Sequence, residues 1–356
     1  MGDPIEVTIA MPLDDDLVAK VRAASPAVNV THLSRSQRFV YREGRPLWGG
    51  YREPPAPEDE SEEEARAALA SILGETEVLL TNQILPGNIV AMGPKLKWVQ
   101  LTSAGVDSLI DHEIVRAPAV TVTTASGIHA TTISEYIIGA MITFAKNFPK
   151  AMRSQEERTW APYWPQELEE ATVGIVGLGA IGRRTAELSK ALRMRVLAMR
   201  RSCTRRMSGD EAGEAAVDEM FPPADLHALL SECDYVVLTL PLTSESRGLI
   251  GEAEIAAMKP NAVIVNISRG SVIDQVALIR ALREGRIAGA ALDVTTPEPL
   301  PSDHELWHVE NVMITPHISG GTPRYMERAI DLFCENLGRY ARGDALHNVV
   351  DASRGY

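Results

Sequence analysis

The chain has 356 residues, 45% hydrophobic and 23% charged, which suits a soluble globular protein with two cores and excludes the disordered and fibrous classes. Its 48 acidic against 35 basic residues leave a net charge of −13, which repels phosphate backbones and anionic lipid, so neither nucleic acid nor a membrane is expected as partner. Cys203, Cys233 and Cys334 have no metal-ligand spacing and are odd in number, which argues against a metal site and a disulfide framework and for a cytoplasmic location.

In chain order, residues 5–10 read as a first strand and not as a signal peptide, and 14–24 as the helix after it. Residues 34–57 carry Arg, Gly, Pro and aromatics without a sustained period and read as a loop or irregular hairpin. Ser61 with Glu64 forms a capping box for a helix running to Leu73, with Gly74 as its stop. The acidic run 62–64 therefore serves a helix dipole and not an interaction tail. Strands over 77–81 and 97–101 flank a short helix, and a strand near 120–123 completes a first alternating β/α domain. A helix over 132–145 leads out of it, too short in apolar residues to cross a bilayer because Glu135 and Lys146 interrupt it. Beyond Glu170, strands over 173–176, 195–199, 235–238, 262–267, 288–292 and 312–315 alternate with helices, the rhythm of a doubly wound parallel sheet. A last helix over 324–342 is long enough to return the chain to the first domain.

The run Gly177-Leu178-Gly179-Ala180-Ile181-Gly182 follows an apolar strand and opens an amphipathic helix. In that context Gly177 permits a tight turn, Gly179 lets backbone approach a pyrophosphate, and Gly182 lets the helix pack on the sheet. The helix N-terminus supplies N–H groups to the phosphates. About 20 residues on, where an acid would hold the ribose hydroxyls, stand Arg200, Arg201 and Ser202. Two guanidiniums and a hydroxyl suit a 2′-phosphate, so NADP(H) is the preferred cofactor and NAD(H) the alternative.

Three further turns follow strands of this domain: Ile267-Ser268-Arg269, Asp293 through Glu298, and His317-Ile318-Ser319-Gly320. Ligands in open α/β sheets bind at the carboxyl ends of strands, where these turns fall. Reducing a 2-oxo acid creates an alkoxide that needs a proton, which His317 can donate with Glu298 orienting it, while the carboxylate needs a cation such as Arg269. Singly, a His after Pro is often structural, Glu298 between prolines could be a turn residue, and Arg269 could be a surface ion pair. The ordered set, downstream of a dinucleotide motif, points to hydride transfer between a nicotinamide and C2 of a small 2-hydroxy or 2-oxo acid.

With Leu101-Thr102-Ser103-Ala104-Gly105-Val106-Asp107, Ile133-Ser134-Glu135, Leu240-Pro241-Leu242-Thr243 and Asn348-Val349-Val350-Asp351, the sequence resembles the D-isomer-specific 2-hydroxyacid dehydrogenases over nearly its whole length. The resemblance implies an α/β fold of two Rossmann-like, doubly wound parallel-sheet domains with a cleft between them. The substrate domain would be discontinuous, over 1–124 plus 325–356, and the NAD(P) domain would cover 125–324. It gives Arg269, Glu298 and His317 the family's catalytic roles, with the backbone of Ser103, Ala104 and Gly105 binding the substrate carboxylate beside Arg269. Ala180, Ile181, Leu240, Pro241, Ile267, Ser268, Asp293, His317, Ser319 and Gly320 would line the cofactor, and the family's usual homodimer forms around the cofactor domains.

Arg200 stands where NAD-preferring members usually carry Asp, and the Arg-Arg-Ser run is similar to that of NADPH-preferring glyoxylate and hydroxypyruvate reductases. Formate dehydrogenases carry Gln before the histidine, where this chain has Pro316, and no Tyr has Lys four positions on, as a short-chain dehydrogenase requires. Phosphite dehydrogenase, which uses the same three residues, and the family's NAD(H)-sensing corepressors are the alternative readings. Whether Trp48, Tyr51 or Trp98 reaches the pocket is left open by the sequence.

Overall fold

The computed structural model describes residues 3–45 and 61–354. The strands are β1 (Ile5–Ile9), β2 (Val28–His32), β3 (Val78–Thr81), β4 (Trp98–Leu101), β5 (Thr121–Thr123), β6 (Thr172–Val176), β7 (Arg195–Met199), β8 (Met207–Ser208), β9 (Glu219–Phe221), β10 (Tyr235–Leu238), β11 (Val263–Asn266), β12 (Gly289–Leu292) and β13 (Val312–Ile314). The helices are α1 (Asp15–Ala23), α2 (Arg35–Tyr41), α3 (Glu62–Glu75), α4 (Ile89–Met92), α5 (Glu113–Arg116), α6 (Ala130–Lys146), α7 (Phe148–Glu156), α8 (Ala180–Ala191), α9 (Leu226–Glu232), α10 (Glu252–Ala256), α11 (Gln275–Arg283) and α12 (Tyr325–Arg342). They form two compact units, one of Met1–Ile128 with Pro323–Tyr356, the other of His129–Thr322.

The first unit holds a parallel sheet in the order β2-β1-β3-β4-β5. β3 and β4 are buried on both faces, as their mainly apolar runs demand of a covered parallel sheet. Trp98 is fully buried, donates its indole N–H to Thr123 Oγ1 at 2.7 Å and lies 5.3–5.4 Å from the rings of Phe333 and Tyr340 on α12. It is a core residue of this unit and anchors the returning helix. Trp48 and Tyr51 lie outside the described residues.

One strand was not foreseen and one expectation changes. Residues 28–32 form an edge strand, and the front of the 34–57 segment is not irregular, because Ser34 and Gln37 close a capping box on α2. The sequence hid α2 because its buried side chains are Ser36, Arg38 and Tyr41, a set with no apolar period. The Ser61–Glu64 capping box is present on α3, which runs through Gly74 to Glu75.

The second unit holds a sheet in the order β13-β12-β11-β10-β6-β7-β9-β8, parallel except for β8 against β9. The order reverses between β6 and β10, the switch point at which open sheets of this class bind ligands. β8 and β9 extend the sheet beyond the six strands expected; β8 has two residues and β9 three, below the length at which alternation can be read. α6 packs on α8 over a core of Ile133, Ile137, Met141, Val173, Ile175 and Val265. Among the described residues no helix is long and apolar enough to cross a membrane, and no His, Cys, Asp or Glu cluster could hold a metal ion.

Candidate active site

The glycine run turns as its composition requires. Gly177 has φ +106°, a left-handed conformation that disfavours any side chain, and a Cβ on Gly182 would lie 2.4 Å from the Gly177 carbonyl oxygen. A Cβ on Gly179, by contrast, would meet nothing within 4 Å, so the backbone at the start of α8 faces open space. A close turn, an open approach and a following helix N-terminus fit a dinucleotide pyrophosphate.

β13, β12, β11, β10, β6 and β7 are neighbours and parallel, so the turns that follow them share one edge of the sheet. Along that edge stand, in order, His317, Asp293 with Glu298, Arg269, Leu240 with Pro241, the glycine run, and Arg200 with Arg201 and Ser202. Ser103, Ala104 and Gly105 follow β4 in the first unit. The carbonyls of Thr102, Ser103 and Gly105 accept from Tyr325, Ala125 N and Gln83.

Each turn is pinned by a polar side chain. Asn266 Nδ2 donates to Arg269 O at 3.0 Å while its Oδ1 accepts from Ser268 N and Oγ, which fixes the turn carrying Arg269. Gln275 donates to Thr296 O at 2.7 Å and accepts from Thr296 N at 3.0 Å, which holds the loop carrying Glu298. Asp293, 1% exposed, accepts from Thr315 Oγ1 at 2.6 Å, Ile318 N at 2.9 Å and Ser319 N at 3.0 Å, and its carbonyl accepts from His317 N. Both carboxylate oxygens of Asp293 thus hold the turn in which His317 adopts φ +55°. Thr315 is hydrogen-bonded in turn to Tyr136 on α6 at 2.7 Å, and burial pushes that phenol up to about 12, so it stays neutral. Gln275 carried no signal in the sequence, since an amide at a helix start is ordinary.

His317 Nδ1 and Glu298 Oε1 lie 2.5 Å apart, with both side chains more than a third exposed. A carboxylate facing Nδ1 fixes the ring's orientation and leaves Nε2 as the outward nitrogen. The pair can hold and pass a proton at an accessible surface.

The matches to known proteins agree with this arrangement. Residues 138–319 match the model of the D-isomer specific 2-hydroxyacid dehydrogenase NAD binding domain. The chain is 32% identical over 317 residues to glyoxylate reductase of Aeropyrum pernix, covering 86% of this chain and 89% of that protein. It is 33% identical over 316 residues to glyoxylate reductase of Thermococcus litoralis, with the same coverage. The chain belongs to the D-isomer-specific 2-hydroxyacid dehydrogenase family. A solved member from Xanthobacter autotrophicus Py2, in complex with NADPH and MES, superimposes with a TM-score of 0.77 at 28% identity over 100% of both chains. This dehydrogenase is therefore an NAD(P)-dependent oxidoreductase with a nicotinamide-binding second unit.

Past β7 the arginines of the Arg-Arg-Ser run meet acids from elsewhere in the chain. Arg200 does not stand apart from acids: its Nη1 pairs at 2.8 Å with Glu214, which also takes Arg183. Arg201 lies 3.5 Å from Glu245. Glu214 is the residue that sequence reasoning missed, because it lies 14 positions past Arg200 inside the excursion between β7 and β9.

Proposed function

We propose that this dehydrogenase reduces a small 2-oxo acid of the glyoxylate or hydroxypyruvate type, with NADPH preferred and NADH accepted. The observation that carries the proposal is the His317–Glu298 pair on the strand edge that also bears Arg269 and the glycine turn. In this reading the first unit binds substrate and the second binds cofactor.

Arg269 takes the substrate carboxylate and polarises the C2 carbonyl. The nicotinamide, when bound, supplies the hydride. His317 gives the proton to the C2 oxygen from Nε2, the nitrogen opposite the one facing Glu298, and Glu298 steadies the positive ring before transfer. In the oxidation direction neutral His317 receives that proton. Ala180, Ile181, Gly182, Leu240, Pro241, Ile267, Ser268, Asp293, Ser319 and Gly320 line the cofactor, and Arg200, Arg201 and Ser202 meet its 2′-phosphate.

NADPH in the solved Xanthobacter relative and the name of the archaeal relatives support the choice of cofactor and acid. The proposal includes a cytoplasmic homodimer. Its three cysteines are free thiols, and Phe148, Met152, Trp160 and Trp164 expose apolar surface on the second unit.

The test follows oxidation of NADPH and of NADH in parallel with glyoxylate, hydroxypyruvate, pyruvate and bulkier 2-oxo acids. Faster consumption of NADPH with one of the small acids is expected. Binding of both cofactors without turnover of any acid overturns the substrate assignment, and oxidation of phosphite in that case would identify the anion.

A further inference from the structure

β7 ends at Met199, and residues 200–218, which include the two-residue edge strand β8, lead to β9, the next strand beside β7. Glu214 sits in a tight turn of that excursion, its N–H bonded to Gly209 O and its carbonyl to Val217 N. Its side chain, 12% exposed, lies between two guanidiniums. Arg183 grips it with two prongs, Nη2 to Oε1 at 2.7 Å and Nε to Oε2 at 3.0 Å, and Arg200 Nη1 reaches Oε1 at 2.8 Å. The Arg183 hydrogen bonds outweigh the opposing effect of burial and, with Arg200, hold the Glu214 carboxyl below its ordinary range. It is a full negative charge at neutral pH. The neighbouring arginines of the excursion are committed elsewhere, Arg206 to Glu219 and Glu232, and Arg205 to Glu211.

The location gives this triad its meaning. Arg200 follows β7, the neighbour of the strand that feeds the glycine run, and Arg183 is the residue directly after Gly182. Glu214 therefore bridges the two elements that the dinucleotide reading assigns to the adenosine end of the cofactor.

We propose that Glu214 sets the cofactor preference of this dehydrogenase, restraining its grip on the 2′-phosphate of NADPH so that NADH is also bound. The inference rests on the dinucleotide reading above. Arg183, Glu214 and Arg200 together carry a net charge of +1. A 2′-phosphate carries about −1.5 to −2, and to engage Arg200 it must approach a carboxylate already on that guanidinium. A ribose hydroxyl meets no such repulsion and can donate to the carboxylate. Neutralising Glu214 raises the triad to +2 and releases both forks towards phosphate. Neutralising Arg183 does the reverse, leaving Arg200 and its carboxylate at net zero.

The test titrates the full chain by calorimetry with adenosine 2′,5′-bisphosphate and with ADP, fragments that differ in where the second phosphate sits and need no turnover. Glu214→Gln is expected to raise the preference for the 2′,5′-bisphosphate over ADP by about 5- to 10-fold at low salt, and less at high salt. Arg183→Gln should lower that preference, which keeps the inference testable if the first variant fails to fold. An unchanged ratio in the variants that fold, or weaker bisphosphate binding by Glu214→Gln, overturns it and leaves the dinucleotide reading standing. If the wild-type chain binds neither fragment and neither NADPH nor NADH, the dinucleotide reading itself falls, and the role of Glu214 with it.

Discussion

His317 and Arg269 are asked to do different things, and substitutions should separate them. In the proposed mechanism His317 acts on a proton that moves during the reaction, so His317→Ala should lower kcat by a factor of about 100 to 10,000 while leaving the Kd for NADPH nearly unchanged. Near-normal turnover would remove His317 from the proposed mechanism. In the same proposal Arg269 serves a carboxylate present throughout and an oxygen that gains charge only in transit, so Arg269→Ala should raise KM and lower kcat together. Loss of thermal stability with intact kinetics would reduce Arg269 to a structural ion pair. His317 and Arg269 stand out in the sequence because each follows an apolar strand. Asn266, Gln275 and Glu214, which position or pair with such residues, do not, since the value of an amide or a carboxylate depends on what the fold brings within 3 Å of it.

Turns are the working parts at the scale of elements, and the strands set their spacing. The turn 315–319 is held by a buried carboxylate from the neighbouring strand end, with Thr315 Oγ1, Ile318 N and Ser319 N all donating to Asp293. Asp293→Asn must turn an NH2 group towards one of those donors, leaving it unsatisfied at a cost of about 1 to 3 kcal/mol. The expected result is a fall in kcat of about 10-fold or more, because His317 is displaced from reach, with the far-UV circular dichroism of the wild type. Unchanged kcat would show that the turn holds its shape without the carboxylate. The strands β3, β4, β6, β10, β11 and β12 were legible from mainly apolar runs, the mark of burial on two faces. β2, β8 and β9 were not: β2 is an edge strand with half-covered side chains, and the other two are too short to display a period.

On the second unit several large apolar side chains stand exposed close together in the sequence. Phe148 and Met152 on α7 are 47% and 63% exposed, and Trp160 and Trp164 after it are 94% and 95% exposed. Adjacent exposed aromatics of this size mark association surfaces. A symmetric homodimer through this segment is the simplest closed arrangement. Light scattering should give the mass of two chains for the wild type, and replacing both Trp160 and Trp164 with Ser should shift it towards one. A wild-type mass of one chain at micromolar concentration would overturn the dimer.

Sequence alone determined six of the eight strands of the second unit, the glycine turn at the head of α8, and the three residues to which the proposal gives catalytic roles. Each rests on local rules: burial on two faces writes an apolar run, a left-handed turn needs glycine, and parallel strands put their reactive turns at one end. Tertiary structure decided what lies across from each of those groups. It placed Trp98 in the core, tied the His317 turn to Asp293, and returned Glu214 from a 14-residue detour onto Arg200. A hydrogen bond or ion pair depends on two groups meeting at about 3 Å, and separation along the chain carries no record of that meeting.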